Sequence, residues 1–234
     1  DVYKRQNNEI DLVTKTVEPR GDEKELAEIT DLIGSYTTNF ASSSAGRAKN
    51  VITGVSKVDG TILYPGEEFD LAKTVSPFTQ ENGYELAGAY QNGTVVESFG
   101  GGICQVATTL YNAVIRAELE ITMRFNHSML VHYVEPSMDA AIAGNYKDLK
   151  FKNNLDAPVY IEGYCSGGII YFNVYGKETR PSNREISFES ETVSKTDPKV
   201  QFTMDASLTA GSVSVTQSGQ SGCIAQLWKL SLIH

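Results

Sequence analysis

Cys104 lies just after three consecutive glycines, with only Ile103 between, in GGGICQ, and falls in the first turn of a stretch with helical periodicity, a position in which a cysteine can act as a nucleophile. The first-turn N–H groups of a helix and its macrodipole favour the thiolate, which lowers a cysteine pKa below its free value of about 8.5. A nucleophilic cysteine also needs a base and a group to orient that base. His127 and then Asp139 or Asp148 follow in the order Cys, His, Asp. In that chemistry Cys104 attacks an acyl carbon, His127 is the base and one of the two aspartates orients it. Gln105 would donate to the developing oxyanion. Arg47 and Asn50, three apart on one helical face, are candidates for holding a substrate carboxylate or a glycan hydroxyl.

Each of these residues also has a plainer reading. A free cysteine packs as a small hydrophobe, and glycines let a helix approach a strand closely. His127 can bond a main-chain carbonyl, and Asp139 and Asp148 can each cap a turn. Arg47 and Asn50 can tie a helix to a loop, and Gln105 can be a polar first-turn residue. Tyr84, Tyr90, Tyr111 and Tyr133 are of the type that stacks on sugar rings, although half-buried strand tyrosines are ordinary. Cys104, His127 and His132 are zinc-ligand types, but alternation along a strand puts the two histidines on opposite faces. No metal and no cofactor are therefore expected. GGGICQ also lacks the lysine and hydroxyl of a phosphate-binding loop.

Composition narrows the partners. The chain has 234 residues, 41% hydrophobic and 21% charged, which is a globular balance with enough length for a core and a partner module. Its 20 basic residues against 29 acidic ones leave a net charge of -9, which repels phosphate backbones and excludes nucleic acid as a partner. Three cysteines, Cys104, Cys165 and Cys223, are too few and too scattered for a disulfide scaffold or a CxxC metal pair. No stretch approaches the roughly 20 apolar residues that span a bilayer, so a signal or membrane anchor is expected upstream. DVYKRQ at the start and LWKLSLIH at the end resemble translated sequencing-adapter read-through, and both are set aside together with His234.

The elements that must position the candidates follow from periodicity. Ile103, Val106, Ala107, Leu110, Val114 and Ala117 recur on one face and predict a helix behind the glycines. HSMLVHYV at 127–134 predicts a strand with His127, Met129, Val131 and Tyr133 on one face and Ser128, Leu130, His132 and Val134 on the other. Upstream, Asp22 caps a predicted acidic helix over 22–34 with Leu26, Ile29, Leu32 and Ile33 as its stripe and Gly34 as its stop. Residues 37–46 read as a loop and 47–58 as a second helix. TILYPGEEFD reads as a short strand with a Pro65-Gly66 turn, and 73–98 as irregular structure with short strands. Downstream, DAAIA, DLKFKNN, APVYIEGY and GIIYFNVYG predict strands separated by turn residues. Helices followed by an antiparallel sheet make an α+β class.

Arg47 with Asn50, YPGEEF at 64–69, GGGICQVATTLYNA at 100–113, Arg124 with His127-Ser128, Tyr133-Val134, Asp139-Ala140, and DLKF at 148–151 followed by Asn153-Asn154 occur in one order and spacing. Together they closely resemble the VanW family, named after an accessory gene of B-type vancomycin-resistance clusters, over roughly residues 30–176. The domain is expected at 21–176. Members often carry an upstream peptidoglycan-binding domain, and residues 1–20, with a predicted strand at 9–18, resemble its last strand (residues 1–6 set aside). Members also often end in a glycine-marked module called the G-five domain. Residues 177–226 resemble a truncated all-β copy that is not expected to fold alone, and 227–234 form the tail set aside above.

The resemblance implies export, attachment to the envelope and a Gram-positive type of wall, and names a location more firmly than a reaction. The expectation is an extracytoplasmic cell-envelope protein that engages peptidoglycan or a related wall polymer as a binding or scaffolding module. Its membrane contact would come only through an anchor upstream of this chain. The alternative is a cysteine-dependent acyl transferase or amidase acting on cell-wall peptides. Its Cys-His-Asp order is similar to that of transglutaminase-like and papain-like hydrolases, a fold-level analogy.

Overall fold

Alternating apolar residues over 159–176, split by Gly167-Gly168, fold into the central hairpin of the molecule. Val159, Ile161, Ile170, Phe172 and Val174 all turn to one side and are fully buried. The structure is a computed structural model that describes residues 21–91, 94–144, 146–209, 211–216 and 218–233, with only the backbone described at 90, 91, 94 and 95. The strand expected at 9–18 and the side chain of Tyr90 lie outside the described residues.

In chain order the elements begin with α1 (Glu23–Leu26), β1 (Asp31–Asn39), α2 (Ala45–Val58), β2 (Thr61–Leu63), β3 (Glu68–Asp70) and α3 (Leu71–Val75). After a 3-10 turn come β4 (Leu86–Gln91), β5 (Thr94–Phe99), α4 (Ile103–Arg116) and β6 (Glu120–Met123). The chain ends in β7 (Lys150–Lys152), β8 (Val159–Ser166), β9 (Ile169–Gly176), β10 (Arg184–Thr196) and β11 (Gly222–Ile233). The main sheet is antiparallel in the order β1-β9-β8-β2. α2 and α4 pack on its inner face and on each other. Val51, Val55 and Val58 of α2 meet Val106, Leu110 and Val114 of α4 in one buried cluster. Burying each such side chain contributes roughly 1.5–3 kcal/mol. Gly54 sets the helix–helix approach, because a Cβ there would stand 2.5 Å from Ile103 Cδ1.

A second sheet, β3-β7-β6, closes one end with Phe69 packed on Phe151 at 5.0 Å between ring centroids. The C-terminal part is all β, with β10 paired to β11. Arg184 ties this hairpin to the domain through two bonds to Glu118, at 2.7 and 2.8 Å. Fold class is therefore α+β, with one sheet strand placed ahead of both long helices.

Three predicted elements are overturned. Residues 22–34 are not one helix: α1 has four residues, and Asp31–Asn39 is strand β1. The register shifts between Leu32 and Gly34, so Ile33 and Gly34 both turn inward and the period-2 signature of a strand is lost. Gly34 is no helix stop; it lets β1 meet α4, because a Cβ there would lie 2.5 Å from Ala113 O. β1 also occupies the first residues of the loop expected at 37–46. Residues 127–134 form no strand, because the backbone N–H of His127 goes to a side chain rather than to a ladder. The burial alternation survives as far as Tyr133: His127, Met129, Val131 and Tyr133 are half-buried while Ser128, Leu130 and His132 are exposed, but Val134, expected on the exposed face, is half-buried. The strand expected at DAAIA is irregular chain bound sideways to α4. Thr108 both donates to Ala140 O and accepts from Ala140 N, at 3.1 and 3.0 Å. Asn112 Nδ2 donates to Met138 O at 2.7 Å.

Candidate active site

The glycines ahead of Cys104 are fixed from two sides. Gly100 and Gly102 take φ values of +80° and +111°, which side chains disfavour, and this allows the sharp entry into α4. Gly101 is pressed on β4, where a Cβ would lie 2.7 Å from Ala87 O and 2.8 Å from Gly88 O. Asn50, fully buried on α2, spends its whole amide here. Its Nδ2 donates to Gly101 O at 3.0 Å and to Glu85 O at 2.9 Å, and its Oδ1 accepts from Glu85 N at 2.7 Å. Cys104 thus becomes the second residue of a helix held rigidly at its start, where the N–H groups of Ile103 and Gln105 are bonded to Gly100 O and Gly102 O and that of Cys104 is left over among the described residues.

The half-buried thiol meets His127 and the carbonyl of Ile142, 3.4 Å away. His127 Nδ1 lies 2.7 Å from Asp139 Oδ2, which leaves Nε2 as the ring nitrogen for the thiol. Burial opposes the imidazolium, but the bonds to Asp139 and Cys104 prevail and push the His127 pKa up to about 9. Burial also opposes the Cys104 thiolate, yet the bond and charge of His127, helped by Lys147, hold its pKa below the ordinary value. The contact with the Ile142 carbonyl, an acceptor only, suits the protonated thiol. His127 is the group that holds the thiolate. Asp139 is likewise disfavoured by burial but kept ionised by His127 and Arg124.

Arg124 was not among the candidate site residues, although it stands in the motif next to His127. Its Nη2 donates to Asp139 Oδ1 at 3.0 Å, and its Nε donates to Asp139 O at 2.7 Å. Tyr133, a sugar-stacking candidate from the sequence placed on the same face as His127, also comes to the site. Burial and the neighbouring Cys104 charge raise its pKa, and it bonds Thr108. The alternation along 127–134 is the signal that places it with His127.

The structure brings Cys104, His127 and Asp139 together and puts Asp148 elsewhere. Asp148 accepts from Ala72 N at 2.9 Å and from Leu149 N at 2.7 Å, at the start of α3. Burial and the Asp70 carboxyl raise its pKa. Gln105 is buried with both amide hydrogens committed, to Thr38 Oγ1 at 3.1 Å and Asn39 O at 2.9 Å. Its Oε1 accepts from Arg47 Nη2 at 2.8 Å. Arg47 and Asn50 part company: Asn50 is consumed inside the fold, whereas Arg47 lines a cavity. Among the described residues no group of three or more His, Cys, Asp or Glu side chains is placed to hold a metal ion.

Two cavities flank the 127–134 segment and share Val131. One, of about 480 Å³, is lined by Arg124, His127 and Asp139 on one side and by residues 221–225 on the other. The second, of about 690 Å³, is lined by Arg47, Gln105, His132 and Tyr133, among others. Cys104 lines neither cavity, but its partner His127 lines one and its chain neighbour Gln105 lines the other. Among the described residues no helix is long and apolar enough to cross a membrane.

Fold and site define an α+β domain built around a buried cysteine–histidine–aspartate cluster at a helix N-terminus. Residues 46–175 match the family described as VanW like protein, which is more than half of the chain, and the chain belongs to the VanW family. It is similar to the uncharacterized protein YoaR of Bacillus subtilis, 33% identical over 177 residues that cover 75% of this chain and 58% of that protein. It is also similar to the vancomycin B-type resistance protein VanW of Enterococcus faecalis, 26% identical over 118 residues, 48% of this chain and 42% of that protein. The chain thus spans about half the length of these relatives. No solved structure matches it.

Proposed function

We propose that the domain is a cysteine-dependent acyl transferase or amidase that acts on peptides of the bacterial wall, outside the cytoplasm. The observation that carries this reading is His127 bonded at Nδ1 to Asp139, with the Cys104 thiol near enough for each to favour the charged form of the other. The Cys104 thiolate attacks an amide carbonyl carbon, and the oxyanion develops beside the backbone N–H of Cys104, since the Ile103 and Gln105 N–H groups are bonded to Gly100 O and Gly102 O. Imidazolium His127 then gives its proton to the leaving amine as the C–N bond breaks, which leaves a thioester on Cys104. Water or an acceptor amine attacks the thioester, His127 takes its proton, and the thiolate departs. Asp139 holds the tautomer and stabilises the imidazolium.

Wall peptide as substrate, and a place in the cell envelope, rest on membership of the VanW family and on the name of the Enterococcus relative. With a net charge of -9, recognition would depend on short-range contacts rather than on attraction to an anionic polymer. A second reading, binding or scaffolding of peptidoglycan without turnover, draws on Cys104 lining neither cavity itself.

The alkylation rate of Cys104 against pH separates the two, measured with Cys165→Ser and Cys223→Ser in place. Labelling that stays fast well below pH 8 and slows on His127→Ala supports the nucleophile. Labelling that waits for unfolding rejects it in favour of binding. A mass-detected thioester formed on Cys104 with wall peptide would then identify the acyl donor.

A further inference from the structure

Arg47 enters the larger cavity with its charge unspent. Two of the five guanidinium N–H groups are used, Nη1 to Ser43 Oγ at 2.6 Å and Nη2 to Gln105 Oε1 at 2.8 Å. Both acceptors are neutral, and among the described residues no carboxylate pairs with Arg47. The two bonds anchor the fork without neutralising it, and among the described residues three N–H groups are left for a ligand. Gln105 is itself held by Thr38 and Asn39 O, so the guanidinium rests on a buried and fully bonded support. Gly102 gives the Arg47 stem room to pass: a Cβ there would stand 3.0 Å from Arg47 Cγ. Tyr133 lines the same cavity and lies close enough to Cys104 and to Arg47 to feel both charges.

We propose that Arg47, seated on Ser43 and Gln105, is a carboxylate-recognition subsite that selects acyl substrates bearing a free carboxylate next to the bond attacked by Cys104. This deepens the wall-peptide reading and rests on it for the identity of the substrate. A planar fork with N–H groups to spare matches a carboxylate in two-point fashion, which a lysine would not. The carboxylate can be the C-terminal α-carboxylate or an acidic side chain of the peptide. The chemistry at Arg47 is the same for both.

The test is equilibrium binding, by titration calorimetry, to the full chain carrying Cys104→Ala, so that turnover plays no part. The probes are the soluble stem peptide of peptidoglycan as free acid, its C-terminal carboxamide, and the form amidated on its side-chain carboxylate. The free acid should bind about tenfold or more tightly than one of the amidated forms, and which form loses affinity names the source. Arg47→Gln should bring that ratio close to one, while Arg47→Lys keeps part of it. Because each ratio is internal to one variant, a modest loss of stability does not disturb it. Equal binding of all three peptides, no binding of any, or an unchanged ratio in Arg47→Gln overturns the subsite. An inert Cys104 thiol in the alkylation experiment would overturn the enzymatic reading while leaving this binding result standing.

Discussion

One oxygen of Asp139 holds His127 twice: Oδ2 lies 2.7 Å from ring Nδ1 and accepts the histidine's own backbone N–H at 2.6 Å. The carboxylate thereby fixes the loop that carries the base as well as the tautomer of the base. Asp139→Asn keeps the shape but turns an acceptor into an ambiguous amide and removes the charge that favours imidazolium. We expect acyl-transfer activity to fall about 10²–10⁴-fold, with thiol alkylation at neutral pH slowed at least tenfold. Comparing alkylation rates of the two proteins at pH 7, with Tm as a folding check, decides this. Equal rates would mean that Asp139 serves the loop alone.

The raised His127 pKa has a consequence for stability. A group whose folded pKa exceeds its unfolded value of about 6.5 contributes fully below that pH, and the contribution is lost as pH climbs towards the folded value, about 9. Cys104, whose pKa is lowered, contributes with the opposite sign, so the measurement needs Cys104→Ala, which leaves Asp139 as the cause. In that background, stability relative to the added His127→Gln variant should shrink as pH rises from 6.5 towards the folded value that Asp139 alone sustains, which lies below 9, by something on the order of 1 kcal/mol. Urea unfolding at pH 6, 8 and 9.5 would show it. A flat difference would mean that the histidine is neutral in the fold.

Much of the scaffold was legible because its signals are local. α4 and the β8–β9 hairpin carry clean periodicities, and both stand where the sequence puts them. β1 was misread as helix because the bulge at Ile33 spoils its alternation and because Gly34 looks like a stop when it serves close packing on α4. Cys104 and His127 were readable from position. The choice of Asp139 over Asp148 was not, because it depends on how irregular chain at 138–142 is bound to Thr108 and Asn112. Arg47 and Asn50 looked equivalent on a helix face. Only the tertiary neighbours Glu85 and Gly101 reveal that Asn50 is spent inside the fold.

Arg124 acts on the site through Asp139, at both its carboxylate and its carbonyl, and is a positioning residue. Arg124→Gln should weaken the hold on Asp139 and lower the His127 pKa without touching the thiol. The midpoint of the alkylation–pH profile should then move, whereas purely structural damage would lower Tm and leave the midpoint in place. Arg124→Lys restores the charge but not the two-point geometry, so only partial recovery is expected.

The loop that sets Cys104 is the most demanding part of the scaffold, and two substitutions probe it from opposite directions. Asn50→Ala removes three bonds at once and leaves Glu85 N, Glu85 O and Gly101 O to find other partners, which should cost about 2–4 kcal/mol. Gly101→Ala adds a methyl that would stand 2.7 Å from Ala87 O, a clash with backbone that no side-chain rotation relieves. The glycine loop must then move off β4 and carry the start of α4 with it. Urea unfolding should show a loss of about 1–3 kcal/mol for Gly101→Ala, smaller than that for Asn50→Ala. Its effect on the Cys104 alkylation rate should exceed what that loss of stability accounts for, because the thiol is displaced from His127. If Gly101→Ala labels as fast as the natural chain at neutral pH, the alignment of thiol and imidazole does not depend on the glycine loop.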